Sequence, residues 1–288
     1  MADGGRSDNR GAVLVTGSST GIGRACALRL DRAGFQVFAA VRKRGDAESL
    51  EAEGSGRLEP VLLDVTDETT IAATRERIEQ VSGGRLAGLV NNAGIGRGGP
   101  VEALQLEELR RQLEVNLIGQ VAVTQAMLPM IRAARGRIVF ISSIGGRVAL
   151  PYLSPYAASK HGIEAVGDSL RREMMRFGVE VSLVEPGAVA TPIWDKGSDQ
   201  AARLRERATP EQIEAYGAVM DRFTELFIEA GRAGVPPDQV AKAVEHALTA
   251  RRPKTRYLVG RDAKLRAAMR RFLPDRFLDR GISRALGG

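Results

Sequence analysis

A short apolar segment that runs into a glycine-rich turn constrains the fold of this chain most. Residues 12–16 read Ala-Val-Leu-Val-Thr, which is typical of a strand buried on both faces of a parallel sheet. A helix is predicted from residue 21 to residue 33, and the amides of its first turn favour an anion. A glycine-rich turn can also simply join a strand to a helix, but this order of elements predicts an α/β domain that binds a dinucleotide pyrophosphate. The predicted contacts are Gly17, Ser18, Thr20, Gly21, Ile22 and Gly23.

The residues after the second predicted strand, 36–41, bear on which dinucleotide is bound. A carboxylate at this point would hold the ribose 2′-hydroxyl of NAD. The chain instead reads Val-Arg-Lys-Arg over residues 41–44, and a guanidinium can pair with a 2′-phosphate through two hydrogen bonds. The sequence therefore predicts NADP, with Arg42 and Lys43 as ligands and the Ser18 hydroxyl as a further donor. NAD beside a solvated basic loop is the alternative.

Ser143, Tyr156 and Lys160 form a group suited to proton transfer at a carbonyl or an alcohol. If Tyr156 opens a helix, Lys160 lies one turn later on the same face. A free phenol with a pKa near ~10 is a poor catalyst at neutral pH, but a neighbouring ammonium and a hydroxyl donor such as Ser143 lower that pKa. The spacing Tyr-x-x-x-Lys alone also occurs in many helices as a partly buried ring and a solvated lysine. Assigning a catalytic role to these three residues therefore depends on the other motifs in the chain.

Five motifs occur together in this chain. They are the glycine turn at 16–23, Asn-Asn-Ala-Gly at 91–94, Asn116, the group Ser143, Tyr156 and Lys160, and Pro-Gly at 186–187 with Thr191. In this order and spacing they resemble the classical short-chain dehydrogenase/reductase family over about residues 12–260. The resemblance implies a Rossmann-type, doubly wound α/β fold in a single domain, with a mainly parallel seven-stranded sheet and helices on both faces. It also implies hydride transfer between NADP(H) and a ketone or secondary alcohol.

The resemblance assigns roles to the residues that match the family's motifs. Tyr156 would be the general acid or base, Lys160 would lower the pKa of Tyr156 and hold the nicotinamide ribose, and Ser143 would position the carbonyl. Asn116 would hold a water that links Lys160 to solvent. Further cofactor contacts are implied for Asp64 and Val65 at the adenine, for Asn92, Ala93 and Gly94 at the ribose, and for Pro186, Gly187, Val189 and Thr191 at the nicotinamide.

The remaining segments complete the predicted fold and supply a substrate lid. Further strands are predicted at 61–63, 86–91, 137–142, 179–185 and 255–259, and further helices at about 67–81, 107–130, 156–177 and 237–249. Residues 192–235 form an insertion that serves as the substrate lid in the family. Trp194 is predicted to contact the substrate, although the aromatic residues of the insertion also suit a helical pair packed on the body.

The substrate class is suggested by two short stretches. Residues 41–42 and 186–195 look closest to family members that act on steroids, retinoids or other lipophilic carbonyls. The hypothesis from a different class is a dinucleotide-binding regulator or scaffold that has lost catalysis. The complete set of Asn116, Ser143, Tyr156 and Lys160 favours an enzyme.

Composition sets the remaining expectations. With 288 residues, 43% of them hydrophobic, the chain can bury a full core, and no apolar run approaches the ~18 residues of a spanning helix. Residues 1–11 are polar and glycine-rich, so a disordered lead and a cytoplasmic protein are expected. Cys26, His161 and His246 are isolated from one another, and no metal site is predicted. A homodimer or homotetramer is expected.

The C-terminal extension, residues 261–288, is basic and amphipathic. Residues 251–288 contain 12 Lys or Arg and 3 Asp or Glu, a net +9, which leaves −2 for the rest of the +7 chain. Two helices separated by Pro274 are predicted, each with an apolar stripe. They either pack on the body near the lid or touch an anionic membrane from its inner face. No nucleic-acid partner is expected, since no recognition motif accompanies the charge.

Overall fold

The apolar segments form a seven-stranded parallel sheet in the computed structural model, which describes residues 10–191 and 205–285. The strands lie in the order β3-β2-β1-β4-β5-β6-β7, so the chain reverses direction across the sheet between β1 and β4. This is the predicted doubly wound fold. The strands are β1 Ala12–Val15, β2 Gln36–Val41, β3 Leu58–Leu62, β4 Leu86–Asn91, β5 Arg137–Ile141, β6 Glu180–Pro186 and β7 Arg256–Val259.

Helices connect the strands and extend the chain beyond β7. The predicted helices are present with ends that differ by a few residues, and α2 is a helix that the sequence did not reveal. Only Leu50 of α2 is buried, so its sequence lacks an apolar stripe. The helices are α1 Gly21–Arg32, α2 Arg44–Glu53, α3 Glu68–Ser82, α4 Leu106–Leu113, α5 Gly119–Ala134, α6 Ser154–Met174, α7 Pro210–Arg232, α8 Pro237–Thr249, α9 Arg261–Phe272 and α10 Asp275–Ala285.

Two hydrophobic cores lie on opposite faces of the sheet. One is built between the strands and the helices α3, α5 and α6 and includes the fully buried Phe140 and Met127. The other is built against α1, α2 and α8 and includes Cys26, whose thiol is buried and whose pKa burial raises to about 12. Because both faces are covered, the strands read as continuous apolar runs.

The third strand and the long central helix differ from their predictions. β3 spans Leu58–Leu62, earlier than the predicted 61–63, because Glu59 and Pro60 hide its first residues from an apolar pattern. The helix predicted at 107–130 contains a π-helical turn, Glu114–Ile118, between α4 and α5. Such turns change the face on which side chains project and are frequent at functional sites.

The joined helix Leu106–Ala134 is long and apolar enough to cross a membrane by length and composition. The sequence had indicated no such segment. Its buried side chains, which include Val123, Met127 and Ile131, belong to the core on the sheet. Core helices pass the same test, so this finding alone says nothing of location.

Candidate active site

A cleft of about 260 Å³ lies at the carboxyl ends of the strands, across the β1–β4 reversal. This is where open α/β sheets bind ligands. The fold brings most of the predicted site residues to this one cleft. Its walls include Gly17, Thr20, Gly21, Ile22, Arg42, Asp64, Val65, Asn92, Ala93, Gly94, Asn116, Ser143, Tyr156, Lys160, Pro186, Gly187, Val189 and Thr191.

The glycine turn brings backbone to the cleft wall. Gly17 has a φ of +67°, and a Cβ there would lie 2.9 Å from the Cα of Ala93. The helix α1 starts after Thr20, whose side chain makes no capping hydrogen bond, and its first turn holds no acidic residue. Its first amides are therefore suited to an anion such as a pyrophosphate.

Gly23 does not line the cleft, although the sequence predicted a cofactor contact. A Cβ at Gly23 would lie 2.1 Å from the carbonyl oxygen of Gly17 and 2.4 Å from Nδ2 of Asn92. The residue is a glycine because helix α1 packs directly against the turn.

Asn92 holds the two central strand ends together. Its Nδ2 donates to the carbonyl oxygens of Thr16 at 2.9 Å and of Gly17 at 3.1 Å. The hydroxyl of Thr16 accepts from the backbone N–H groups of Asn92 and Ala93. Next to it, Nδ2 of the buried Asn91 donates to the hydroxyl of Thr124 on α5 at 2.8 Å. These bonds position the turn relative to Ala93 and Gly94.

Arg42 is the basic residue after β2 that lines the cleft. The other two residues predicted to contact a 2′-phosphate lie elsewhere. Lys43 is exposed at the start of α2 and is not part of the cleft wall. Ser18 is buried, and its hydroxyl donates to the carbonyl oxygen of Val15 at 2.8 Å. Ser19, which the sequence analysis overlooked, lines the cleft instead.

Asp64 lies at the opposite end of the cleft from the predicted catalytic group, after β3. Its Oδ1 accepts from the backbone N–H and the hydroxyl of Thr66, at 3.0 and 2.8 Å. Burial favours the neutral acid, but these hydrogen bonds, with help from Arg42 and Arg111, hold the pKa of Asp64 below its ordinary value. The carboxylate is therefore ionised and oriented at neutral pH.

Ser143, Tyr156 and Lys160 come together at the end of β5 and on the first turns of α6. The hydroxyl of Ser143 hydrogen-bonds the phenol of Tyr156. It also accepts from the backbone N–H of Gly145 at 3.0 Å. Lys160 is 5% exposed, and its Nζ donates to the carbonyl oxygen of Ile141 at 2.7 Å.

The expected decrease in the pKa of Tyr156 is absent from this structure. Burial raises the pKa of the phenol above its ordinary value, and the hydrogen bond with Ser143 lowers it only in part. Lys160, whose ammonium is held by Ile141, sits over the Tyr156 ring, 5.8 Å from its centroid, and the burial of the phenol prevails. Burial also lowers the pKa of Lys160 to about 8, against an opposing effect of Glu164. Tyr156 is thus a protonated phenol at neutral pH, ready to donate.

Asn116 is fully buried in the π-helical turn and holds the loop after β4. Its Nδ2 donates to the carbonyl oxygen of Ile95 at 2.9 Å, and its Oδ1 accepts from the N–H of Ile95 at 2.8 Å. The same Nδ2 lies 3.2 Å from the hydroxyl of Ser159, which donates to the carbonyl oxygen of Tyr156. Asn116 therefore connects the cleft wall to the helix that carries Tyr156, and the water of the relay stays a prediction.

A charged cluster lies behind the catalytic group and was not predicted. Glu185 is fully buried; its Oε2 lies 2.8 Å from Nε of Arg147 and its Oε1 lies 3.1 Å from Nε of Arg256. Arg256 also pairs with Glu164 and Asp168 on α6. Burial and the nearby Glu164 raise the pKa of Glu185 to about 7. The cluster joins β6 and β7 to α6 next to the loop that follows β6, residues 187–189.

Asp262 is a site residue that sequence reasoning missed. Its Oδ2 accepts from the backbone N–H of Ala188 at 2.9 Å, across 74 residues of chain. A Cβ on Gly187 would lie 2.1 Å from this carboxylate, and one on Gly260 would lie 2.6 Å from it. The carboxylate thus fixes the loop that follows β6, and the two glycines make room for it.

Replacing Asp262 with alanine is expected to weaken cofactor binding by about 10-fold, because the partly buried N–H of Ala188 loses its acceptor and the loop at 187–189 loosens. Titration of the purified variant with NADPH, followed by nicotinamide fluorescence, measures the change. Asp279→Ala removes the same charge from exposed α10 and serves as the control. Equal NADPH affinity in Asp262→Ala and wild type would show that the contact is dispensable.

The described part of the predicted lid lies beside the segment 100–103 and beside Tyr152. Phe223 of α7 packs edge-on against Tyr152 and is stacked on Phe227, with centroids 5.5 Å apart in both pairs. The hydroxyl of Tyr216 donates to a carboxylate oxygen of Glu102 at 2.7 Å. Through Phe223 and Tyr216 the helix contacts the body at Tyr152 and Glu102. Residues 192–204, which include the predicted substrate contact Trp194, lie outside the described residues.

Comparisons with known proteins match this geometry to one family. The family model described as short chain dehydrogenase matches residues 11–202, two thirds of the chain. The chain belongs to the short-chain dehydrogenase family. Membership makes this dehydrogenase an NAD(P)-dependent oxidoreductase that interconverts carbonyls and alcohols.

Relatives and solved structures extend the likeness along almost the whole chain. An NADPH-dependent 3-dehydrocapnine reductase of Ornithobacterium rhinotracheale is 36% identical over 93% of this chain and 94% of its own. Retinol dehydrogenase 7 of Rattus norvegicus is 41% identical over 91% of this chain and 84% of its own. The crystal structure of a short-chain dehydrogenase from Streptomyces avermitilis superposes with a TM-score of 0.73 at 30% identity, over 94% of this chain and 98% of the other.

Proposed function

We propose that this short-chain dehydrogenase transfers hydride between NADP(H) and a lipophilic ketone or secondary alcohol. The observation that carries the proposal is the placement of Ser143, Tyr156 and Lys160 around one point of the dinucleotide cleft. Bound NADPH would supply the hydride to the carbonyl carbon. The chain's own residues would handle the carbonyl oxygen.

Each member of the group has a distinct task in reduction. Ser143 and Tyr156 offer two hydroxyl donors to one carbonyl oxygen, and Tyr156 gives up its proton as the oxygen gains charge. Lys160 lies over the Tyr156 ring and stabilises the phenolate that forms. Oxidation runs the same steps in reverse, with Tyr156 taking the proton.

The preference for NADP rests on Arg42 and on what surrounds it. Residues 42–45 contain no carboxylate, so nothing there repels a 2′-phosphate. Arg42 lines the same cleft as the glycine turn, which suits a guanidinium–phosphate pair at the adenosine end. A relative of 36% identity is described as NADPH-dependent.

A lipophilic substrate is supported by the surface of the lid helix α7. Met220, Phe223, Phe227 and Ile228 are half-buried, and Ile213 is 38% exposed. A helix whose apolar residues are incompletely covered can bind an apolar molecule on that side. A relative described as a retinol dehydrogenase points the same way. Trp194 remains a predicted substrate contact.

Carbonyl reduction is expected to be constant at neutral pH and to fall as the pH rises through about 8, the pKa to which burial lowers Lys160. Above that pH the lysine loses the charge that stabilises the phenolate, while Tyr156, whose pKa is raised, still carries its proton. The ratio kcat/KM for a saturable ketone, measured with NADPH across pH, tests this. A value of kcat/KM that rises through the same pH range would contradict the role of the charged Lys160 in stabilising the phenolate.

A panel of ketones and secondary alcohols tests the proposed function. Each compound is incubated with enzyme and either NADPH or NADH, or their oxidised forms, and turnover is read from nicotinamide absorbance. We expect turnover of apolar ketones such as steroids and retinoid-like carbonyls, with NADPH preferred. The alternative, a regulator without catalysis, predicts tight dinucleotide binding and no turnover of any compound.

A further inference from the structure

The helices α9 and α10 leave an apolar surface uncovered by the described residues. Five large side chains that lie close in sequence keep much of their area in solvent, with Phe272 75% and Phe277 62% exposed. Three of them lie on α9, namely Leu265, Met269 and Phe272. Their spacings of four and three residues place them on one side of that helix. We call the set the C-terminal apolar face; it comprises Leu265, Met269, Phe272, Leu273 and Phe277.

The opposite side of these helices attaches them to the body. Ala263 and Leu278 are buried, and Asp262 is bonded to the backbone of Ala188. Helix α9 lies beside β7 and beside the turn Ile144–Gly146 that follows Ser143. Packing on the body therefore accounts for Ala263 and Leu278, while the described residues leave much of the C-terminal apolar face exposed.

Basic side chains surround this face. Residues 261–285 contain eight Lys or Arg and three Asp or Glu, a net +5. Lys264, Arg270 and Arg271 are exposed on α9, and the Arg271 guanidinium stacks over the Phe272 ring, 5.6 Å from its centroid. Arg276 and Arg280 are exposed on α10. Apolar and cationic groups thus share one surface.

We propose that the C-terminal apolar face inserts into the surface of an anionic lipid bilayer. Phenylalanine, leucine and methionine side chains would enter the boundary between headgroups and acyl chains, while the lysines and arginines around them meet lipid phosphates. The inference uses only this surface and does not depend on the proposed hydride transfer.

The charge pattern favours a bilayer over a second copy of the chain. A two-fold contact between copies would bring the same basic residues close to one another in a desolvated interface, which costs free energy. Anionic headgroups instead neutralise the same residues.

Sedimentation of the full chain with vesicles tests the inference. We expect binding to phosphatidylcholine vesicles that contain phosphatidylserine at about 0.1 M salt and strong release at about 1 M, where screening shortens from roughly 10 Å to roughly 3 Å. The triple variant Leu265→Gln, Phe272→Gln, Phe277→Gln should bind at least about 100-fold more weakly, because three inserted apolar side chains are lost. NADPH affinity confirms that each variant is folded.

A matched variant distinguishes this face from general surface hydrophobicity. Val101 and Met175 are 73% and 72% exposed elsewhere on the body, so Val101→Gln with Met175→Gln should bind vesicles as the wild type does. Wild type that stays in the supernatant, a triple variant that binds equally well, or equal binding to pure phosphatidylcholine overturns the inference. A concentration-dependent dimer that the triple variant abolishes, with no vesicle binding, assigns the face to a second copy instead.

Discussion

Tyr156→Phe is expected to reduce kcat for carbonyl reduction by about 10²- to 10⁴-fold, because it removes the acid that the transition state requires. The ring remains and continues to pack beside Lys160, so NADPH affinity should change little. Steady-state kinetics at saturating NADPH, together with a separate binding titration, measures both quantities. The large loss should appear in kcat rather than in cofactor binding.

A second tyrosine provides the control for this substitution. Tyr152→Phe removes a hydroxyl near the lid but keeps the ring that packs edge-on against Phe223. It should retain most of the activity. Substantial turnover by Tyr156→Phe would refute the mechanism, since Ser143 and Lys160 cannot replace the phenol in both its acid and its positioning roles.

Arg42→Asp is expected to lower the preference for NADPH over NADH by about 100-fold, or to reverse it. The substitution removes a charge-assisted hydrogen-bonded pair with the 2′-phosphate and adds a like charge, which together amount to about 3 kcal/mol. The ratio of kcat/KM values for the two cofactors at a fixed ketone concentration measures the effect. NADH, which lacks the phosphate, should be used as well or better by the variant.

Lys43→Asp makes the same charge change one residue later. Because Lys43 is not part of the cleft wall, its effect on the cofactor ratio should be several-fold smaller. Arg42→Ala separates the lost attraction from the added repulsion and should lie between wild type and Arg42→Asp. A wild type that uses both cofactors equally well would contradict the assignment of NADP.

The sequence predicted the parts of the site that depend on local pattern. Four of these parts follow a strand with a strong apolar pattern, and a parallel sheet brings such strand ends to one edge; they are the glycine turn, Arg42, Asn92 and Ser143. Tyr156 and Lys160 lie in the first two turns of α6, one helical turn apart. Their approximate placement therefore follows from the order of elements. The helix α2 escaped notice because its sequence offers only Leu50 to the core.

The remaining features depend on contacts between distant parts of the chain. Asp262 meets Ala188 across 74 residues, and no local pattern marks it. Ser18 was predicted to donate its hydroxyl to the 2′-phosphate. The hydroxyl instead donates to the backbone carbonyl oxygen of Val15, and the sequence does not show which of these acceptors it uses. The pKa of Tyr156 depends on how far burial outweighs the hydrogen bond with Ser143, and the burial of the phenol comes from the packing of distant segments.

A single-turnover experiment with deuterated cofactor tests the central claim most directly. Enzyme is loaded with NADPH that carries deuterium at the transferable position, mixed with excess apolar ketone, and the product is analysed by mass spectrometry. We predict one deuterium on the carbinol carbon per bound cofactor in wild type and none in Tyr156→Phe. Tight NADPH binding without deuterium transfer to any ketone that the enzyme binds would contradict the claim and favour a dinucleotide-binding regulator.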